Sequence, residues 1–419
     1  MHMTVNIAVV GDPALPDDRD ALTRARALSR EAAADLEWWP LTVPEVDEGR
    51  LLGFDAIWFM AWPETPGADE ARRAAWAASH QGIPFVVSAA EPPGWFVGQA
   101  RERTAYRIRA EQRATELAAL EAAEREPRSY VHQMRGPRYR WWRPLVALAV
   151  ATVVFIVCAS FIFAVPAVTG LVGSEDDLAN PVSPWGSLTL NLALAALIPA
   201  TLLGVWAGFG RSPWRVFSVA RRMRWGWLGW CFLVLLPLWA AYLAVTWFVF
   251  DQEVLDRPEH WVALLVITAL TTPLQAAGEE VAFRGGLVQG VGAWFRSPVV
   301  AFVVTLVLST ALFAAAHGSA DPWIVIELGC FAVAGCWLAW RTGGLEAAIA
   351  LHVVNNLLIT FTGILLGGLD ESYVDTTSTG SPVSALMNVA ATALVTAVLL
   401  WLARRRGIAP RGWRTPALG

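Results

Sequence analysis

The sequence predicts a mainly α-helical membrane protein, a polytopic bundle of about eight transmembrane helices preceded by a small cytosolic α/β domain. The chain has 419 residues, of which 55% are hydrophobic and only 16% charged, whereas about a quarter are charged in an average soluble domain. Charge concentrates in the first 143 residues, which hold 39 of the 68 Asp, Glu and Arg side chains. Apolar stretches close to the roughly 20 residues that cross a bilayer recur after that point.

The charge pattern excludes several function classes. The net charge is −4 and the basic residues form no single cluster, so we expect no nucleic-acid partner. All 32 basic residues are Arg, which excludes a lysine nucleophile. The cysteines lie inside apolar runs without paired spacing, so we expect buried small side chains rather than disulfides. They are Cys158, Cys231, Cys330 and Cys336.

The first predicted domain, residues 1–98, alternates strand and helix patterns. The start of the sequence lacks the pattern of a signal peptide, so we expect this domain in the cytosol. Short β-rich runs separated by helical stretches are typical of an α/β layer with a parallel sheet. The predicted strands are Val5–Val10, Leu36–Val43, Asp55–Trp62 and Pro84–Ser88, and the predicted helices are Arg19–Asp35 and Asp69–Ser79.

This domain resembles the first half of a class I glutamine amidotransferase of the CTP synthase kind. The resemblance rests on the runs IAVVGD and FDAIWF and on the strand Gly82–Ser88. Such enzymes carry a nucleophilic Cys directly after that strand, where this sequence has Ala89 and Ala90. The resemblance therefore implies a degenerate amidotransferase-like or flavodoxin-like module with a structural or sensory role.

Residues 99–143 are predicted to connect the cytosol to the membrane. The stretch Gln99–Glu126 is rich in Arg, Glu and Ala at helical spacing, which predicts a solvated linker helix. The basic and aromatic segment Arg135–Arg143 follows it. Such segments lie at the cytoplasmic headgroups of a membrane.

The predicted membrane domain covers residues 144–406 and leaves a cytosolic tail, 407–419. Each of its spans is an apolar run flanked by Trp, Arg or turn residues. The predicted spans are Leu145–Val165, Leu188–Gly208, Trp227–Val249, Trp261–Phe283 with an extension, Val299–Ala316, Trp323–Trp340, Leu345–Leu366 and Val383–Ala403.

The loops between these spans alternate in charge. One set carries Arg and no acid, whereas the other carries acids and a single Arg257. Because Arg-rich short loops face the cytoplasm, eight crossings with both termini in the cytosol satisfy the pattern. We therefore expect an integral cell-membrane protein in contact with membrane lipids.

Three polar motifs lie at membrane depth, where an ionisable side chain costs roughly 3 kcal/mol and needs a function or a partner. Glu279 and Glu280 precede Arg284, which shares a helix face with Glu280 because the two are four residues apart. His317 follows Phe313 by four residues, and His352 precedes Asn356 by four. Carboxylate, imidazole and amide groups are what water activation and oxyanion stabilisation require.

These motifs resemble the CPBP family of intramembrane proteases, also called the Abi or type II CAAX prenyl endopeptidase family. The EExxxR, FxxxH and HxxxN signatures occur in order on successive apolar helices. The resemblance implies an intramembrane endopeptidase acting on a lipidated protein or a leader-like peptide. It assigns water activation to Glu279 and His352, and oxyanion stabilisation to His317 and Asn356. Glu280, Arg284 and Phe313 have a supporting role.

Several alternatives stay open from the sequence. Glu279, His317 and His352 could instead bind a catalytic zinc, although metal-independent water activation is favoured. A proton-coupled transporter would also explain intramembrane Glu and His, and a non-catalytic immunity or scaffold protein would need only the fold. Glu327 and Glu346 are interpreted as acids that pack helices or lie at the interface.

The proposed chemistry makes a geometric demand. With the predicted boundaries, Glu279 lies near the cytoplasmic end of the fourth span and His317 at the opposite end of the fifth. For the two to meet, the fourth span must continue through Gly285 and Gly286 toward Gln289, and the fifth must begin deeper than Val299 or extend past His317. We then expect Glu279, His317, His352 and Asn356 to converge in one water-accessible cavity.

Overall fold

The computed structural model describes residues 4–11, 19, 23, 36–59, 68–88, 94–172 and 175–408. The chain divides into two units, Met1–Ala122 and Ala123–Gly419. Most of the helix predicted over 19–35, the pair Ala89 and Ala90, and residues 409–419 of the tail lie outside the described residues. The domain boundaries inferred from the sequence stay predictions.

The first unit contains the predicted parallel sheet. Its four described strands lie in the order β2-β1-β3-β4, and all neighbours are parallel. Alternate residues of β1 contribute to two different apolar clusters, which shows that both faces of the sheet are covered. The elements are β1 Val5–Gly11, β2 Leu36–Thr42, α1 Glu48–Leu51, β3 Ala56–Phe59, α2 Ala68–His80 and β4 Phe85–Val87.

The α/β layer is thus confirmed, with strand bounds close to the predicted ones. The likeness to amidotransferases stays a prediction. The predicted linker helix is longer than expected, because α3 covers Gly94–Arg125. A short 3₁₀ turn, Tyr130–His132, follows it before the membrane-spanning helices.

The described residues contain eight helices long and apolar enough to cross a membrane, as predicted. Two of them are built from more than one segment, the second from α6 and α7 and the fourth from α9, a π-helical stretch and α10. The short helix α5 is Glu175–Ala179. The spans are α4 Arg143–Val168, α6 Pro184–Ala195 with α7 Leu197–Phe209, α8 Trp225–Val249, α9 Trp261–Glu280 with the π-helix Val281–Leu287 and α10 Val288–Gly292, α11 Pro298–Ala316, α12 Pro322–Thr342, α13 Glu346–Leu366 and α14 Pro382–Arg405.

Four spans begin at the same local signal, a capping side chain followed by proline. The side chains of Ser183, Ser297, Asp321 and Ser381 each accept a hydrogen bond from a backbone N–H of the first helical turn. Proline follows each of them and fits there because the first turn leaves its N–H groups without helical partners. This signal explains why the structure begins these spans one to four residues before the predicted positions.

The fourth span continues well past Phe283, as expected if Glu279 and His317 are to lie close together. It runs from Trp261 to Gly292 without a break, and the π-helical stretch carries it through Gly285 and Gly286. The fifth span needs neither of the changes expected for it. It covers Pro298–Ala316, and His317 is its C-cap. Extension of the fourth span alone brings the two motifs to the same depth.

Helix α13 lies at the centre of the second unit. All nine residues of its first half, Glu346 to Val354, are buried. It packs against α8, α9 and α12, and its apolar residues belong to the largest apolar cluster of the described chain. The helix that carries the HxxxN motif is therefore held on several sides by neighbouring helices.

Candidate active site

The two adjacent carboxylates have different surroundings at the end of α9. Glu280 is fully buried and forms an ion pair with Arg284, Oε1 to Nη1, at 3.0 Å. Arg284 is also fully buried, and its guanidinium carbon lies 4.1 Å from the ring centre of Phe313. A cation stacked on an aromatic face and paired with a carboxylate is partly compensated for its burial. Glu280 is thus paired with Arg284, whereas Glu279 forms no ion pair with this guanidinium.

His352 lies between the two carboxylates. Its Nδ1 is 2.9 Å from Oε1 of Glu280, and its Nε2 is 3.7 Å from Oε2 of Glu279. The rings of Phe313 and Phe331 lie 5.8 and 5.3 Å from the imidazole and limit its rotation. Because an ionised carboxylate only accepts hydrogen bonds, Nδ1 carries the proton toward Glu280. In the neutral imidazole, Nε2 then offers a lone pair on the side of Glu279.

Gln275 joins Glu279 to Asn356, and the sequence interpretation missed it. Its Nε2 donates to Oε1 of Glu279 at 2.6 Å, and its Oε1 accepts from Nδ2 of Asn356 at 3.1 Å. Asn355 donates in turn to Oδ1 of Asn356 at 2.9 Å. The only signal in the sequence was that Gln275 precedes Glu279 by four residues and so shares its helix face.

His317 presents one ring nitrogen to the site. Its Nδ1 lies 2.8 Å from the carbonyl oxygen of Phe313, and a carbonyl oxygen can only accept, so this nitrogen carries the proton. Nε2 is therefore the nitrogen left for other contacts. It accepts a hydrogen bond while the ring is neutral and donates one to an oxyanion only in the imidazolium form.

One cavity of about 600 Å³ brings these groups together. Its walls include Glu279, His317, Asn356 and Gln275. His352 does not line it but contacts Glu279 from behind. Glu280 and Arg284 lie deeper still, and the ring of Phe313 touches both the cavity and Arg284. The structure thus connects all the residues named from the sequence, but the expectation that His352 lines the cavity is wrong, because this side chain is buried behind Glu279.

The zinc alternative does not fit this arrangement. Among the described residues, no three His, Cys, Asp or Glu side chains lie close enough to hold a metal ion. Nε2 of His352 and Oε2 of Glu279, 3.7 Å apart, are near enough to share a metal ion, but the described contacts of the His317 ring are with Phe313 and not with this pair. Glu279, His317 and His352 are therefore not arranged as a ligand set, and no step below depends on a metal.

Residues 258–358 match the family model described as type II CAAX prenyl endopeptidase Rce1-like. This stretch holds the two carboxylates, both histidines and Asn356. It is an Rce1-like domain. The chain is also 25% identical over 218 residues to the uncharacterized protein YyaK of Bacillus subtilis (strain 168), an alignment covering 47% of this chain and 70% of YyaK. No solved structure matches the chain.

Two other acids of the Rce1-like domain lie apart from the cavity. Glu346 is fully buried and accepts three hydrogen bonds from Arg224, from its backbone N–H, Nε and Nη2, at 2.6 to 2.9 Å. This ion pair joins the start of α13 to the loop before α8. Glu327 lies on α12 and contacts Ser384 of α14. Both contacts agree with the helix-packing interpretation from the sequence.

Proposed function

We propose that this chain is an intramembrane endopeptidase that hydrolyses a peptide bond of a membrane-associated substrate with an activated water. The supporting observation is the position of His352 between Glu280 and Glu279, beside a cavity that also holds Asn356. The Rce1-like family implies a protease of the CAAX type in general. The catalytic type and the substrate, a prenylated protein or a leader-like peptide, belong to the proposal.

Glu279 and His352 offer two acceptors to one water. Oε2 of Glu279 and Nε2 of His352 are 3.7 Å apart, too far for a direct hydrogen bond but close enough for one water to donate to both. The water oxygen attacks the scissile carbonyl carbon while one of its protons passes to this pair. Glu280, neutralised by Arg284, keeps the imidazole oriented, as a carboxylate does for a catalytic histidine.

The remaining groups act on the tetrahedral intermediate. Asn356 uses one N–H on Gln275, so its second N–H is free to donate to the oxyanion. His317, once protonated at Nε2, donates to the same oxyanion. The carbon–nitrogen bond then breaks, and the proton taken from the water moves to the leaving amine. The transferred water proton thus ends on the amine product, whereas His317 takes its Nε2 proton from solvent in the cavity and returns it there when the intermediate collapses.

Hydrolysis by the full-length protein in lipid vesicles tests the proposal. Prenylated CAAX peptides and unprenylated leader-like peptides are incubated with it, and products are identified by mass spectrometry. We expect a product gaining one water, and loss of that product in Glu279→Gln. Glu327→Gln removes an intramembrane acid outside the cavity and should cleave like wild type. Equal cleavage by wild type and Glu279→Gln would refute the mechanism, and a Glu279-dependent proton flux without cleavage would favour a transporter.

A further inference from the structure

The two sides of the membrane unit differ in charge. Taken from the span bounds, the connections 210–224 and 293–297 carry six Arg and no acid. The opposite connections, 169–183, 250–260, 317–321 and 367–381, carry eleven acids and one Arg, Arg257. We call these the Arg side and the acidic side. By the positive-inside rule, the Arg side faces the cytoplasm.

The residues outside the helices that line the cavity all belong to the acidic side. Three consecutive residues of the connection 367–381 line it, Ser372, Tyr373 and Val374, and His317 begins another acidic-side connection. None of the residues that line the cavity comes from 210–224, 293–297 or 343–345. Tyr373 is partly buried in this wall, and burial raises the pKa of its phenol above the ordinary value.

The Arg side of the cavity is closed by packed protein. On α13 the cavity is lined only from Asn355 to Thr360, in the half of the helix that leads to the acidic side. Between the Arg side and Asn355, every residue from Glu346 to Val354 is buried. The ion pair between Glu346 and Arg224 fixes the start of this helix. A substrate from the Arg side would have to pass through about 14 Å of packed helix, at 1.5 Å per residue.

We infer that the candidate active site receives its substrate from the non-cytoplasmic side, so that the scissile bond belongs to a translocated, membrane-proximal peptide segment. This inference rests on the proposed protease function and narrows its substrate class. It favours a leader-like or propeptide segment exported across the membrane over a lipidated chain end in the cytosol.

Cysteine labelling tests the direction of access without requiring activity. In a variant whose four native cysteines are replaced by alanine, Thr360→Cys and Ile359→Cys place a thiol on the cavity wall. Glu253→Cys and Arg222→Cys mark the exposed acidic and Arg sides, and Leu270→Cys, on the exposed surface of α9, marks the lipid-facing surface. A charged, membrane-impermeant methanethiosulfonate is applied to intact cells and to inverted vesicles.

We expect Thr360→Cys, Ile359→Cys and Glu253→Cys to react in intact cells and to lose that reaction in sealed inverted vesicles. Arg222→Cys should show the opposite pattern, and Leu270→Cys should react in neither. Reaction of both cavity thiols only in inverted vesicles, or in neither preparation, would overturn the inference. Reaction of Glu253→Cys only in inverted vesicles would also overturn it, because the orientation would then be reversed.

Cleavage in sealed vesicles separates this inference from the proposed function. Impermeant, sulfonated leader-like peptides are added to right-side-out and to inverted vesicles that contain the wild-type protein or Glu279→Gln. Hydrolysis by wild type in right-side-out vesicles alone supports both proposals. Hydrolysis in inverted vesicles alone overturns the direction of access and leaves the protease intact. Equal hydrolysis by wild type and Glu279→Gln counts against the proposed protease function. In that case the cysteine labelling still decides from which side the cavity is accessible.

Discussion

Glu279 is held so that its two oxygens have different surroundings. Oε1 accepts from Gln275, while Oε2 faces Nε2 of His352. A carboxylate fixed on one oxygen can take a proton on the other without reorienting, and such preorganisation accounts for much of an enzyme's rate. Gln275 is thus a positioning residue that acts through Glu279 and Asn356.

Replacement of Gln275 by Met keeps the size of the side chain and removes both hydrogen bonds. A hydrogen bond to a charged group contributes about 1.5–3 kcal/mol, so we expect kcat to fall by about 10- to 100-fold with KM little changed. Thr272→Val is the matched control, because Thr272 lines the same cavity and bonds Asn191 instead. Steady-state kinetics on the cleaved peptide separates the two constants. A rise in KM alone would show that Gln275 binds substrate instead.

At the scale of the elements, span bounds followed closely from apolar length, whereas the capping residues that set four helix starts and the contacts between distant residues were not predicted. The sequence predicted the fourth span as Trp261–Phe283 with an extension, but it did not show where the extended helix ends. The structure continues the helix there as a π-helical stretch, in which Gly285 packs against Val216 with no room for a Cβ. Likewise, the partner of Glu346 is 122 residues away, a separation that no local pattern encodes.

The approach of α9 to α6 depends on Gly278. A Cβ at this position would lie 2.4 Å from the carbonyl oxygen of Leu194, so Gly278→Ala must push the helices apart. Such overpacking costs about 1–3 kcal/mol, and it displaces the adjacent Glu279. We expect a lower melting temperature and loss of cleavage. Gly290→Ala, in the same span with nothing within 4 Å of its Cβ, should keep both, and equal effects of the two substitutions would contradict the packing argument.

The ion pair between Arg224 and Glu346 holds the start of α13 against the loop before α8. Glu346→Gln leaves the guanidinium of Arg224, which is 14% exposed, without its counter-charge. Loss of one partner of a buried pair costs about 3–5 kcal/mol, so we expect a large drop in the thermal stability of the purified protein. Glu327→Gln is the control, since no described residue forms an ion pair with Glu327. Similar melting temperatures for the two variants would argue against this role.

At the scale of the whole molecule, the cavity and all the candidate catalytic residues belong to the second unit. The parallel sheet of the first unit could be predicted from its alternating strand and helix patterns, because such patterns are local. Its function could not, since the amidotransferase resemblance fails at Ala89 and Ala90, where such enzymes carry their nucleophilic Cys. What the sequence did not indicate is a charged cluster just before the membrane, centred on Glu124.

Glu124 is the shared counter-ion of Arg211 and Arg215, which are nearly buried on the Arg side. Burial raises the pKa of Glu124, but the hydrogen bond from Arg211 and the charges of Arg211, Arg215 and Arg128 lower it below its ordinary value. Burial together with the charges of Arg211 and Arg221 lowers the pKa of Arg215 to about 10. Arg215 therefore stays charged at neutral pH and needs an acid beside it.

Glu124→Gln should lower the melting temperature of the membrane unit in a pH-dependent way. Because folding lowers the pKa of Glu124, its stabilising effect is complete above the ordinary pKa of a glutamate and is lost as the pH falls through the lowered value. The difference between wild type and Glu124→Gln should thus be full at pH 7 and shrink as the medium becomes acidic. Glu116→Gln, exposed on the same helix, should melt like wild type throughout. A difference that stayed constant from pH 7 to acidic pH would mean that Glu124 stabilises the fold by something other than its charge.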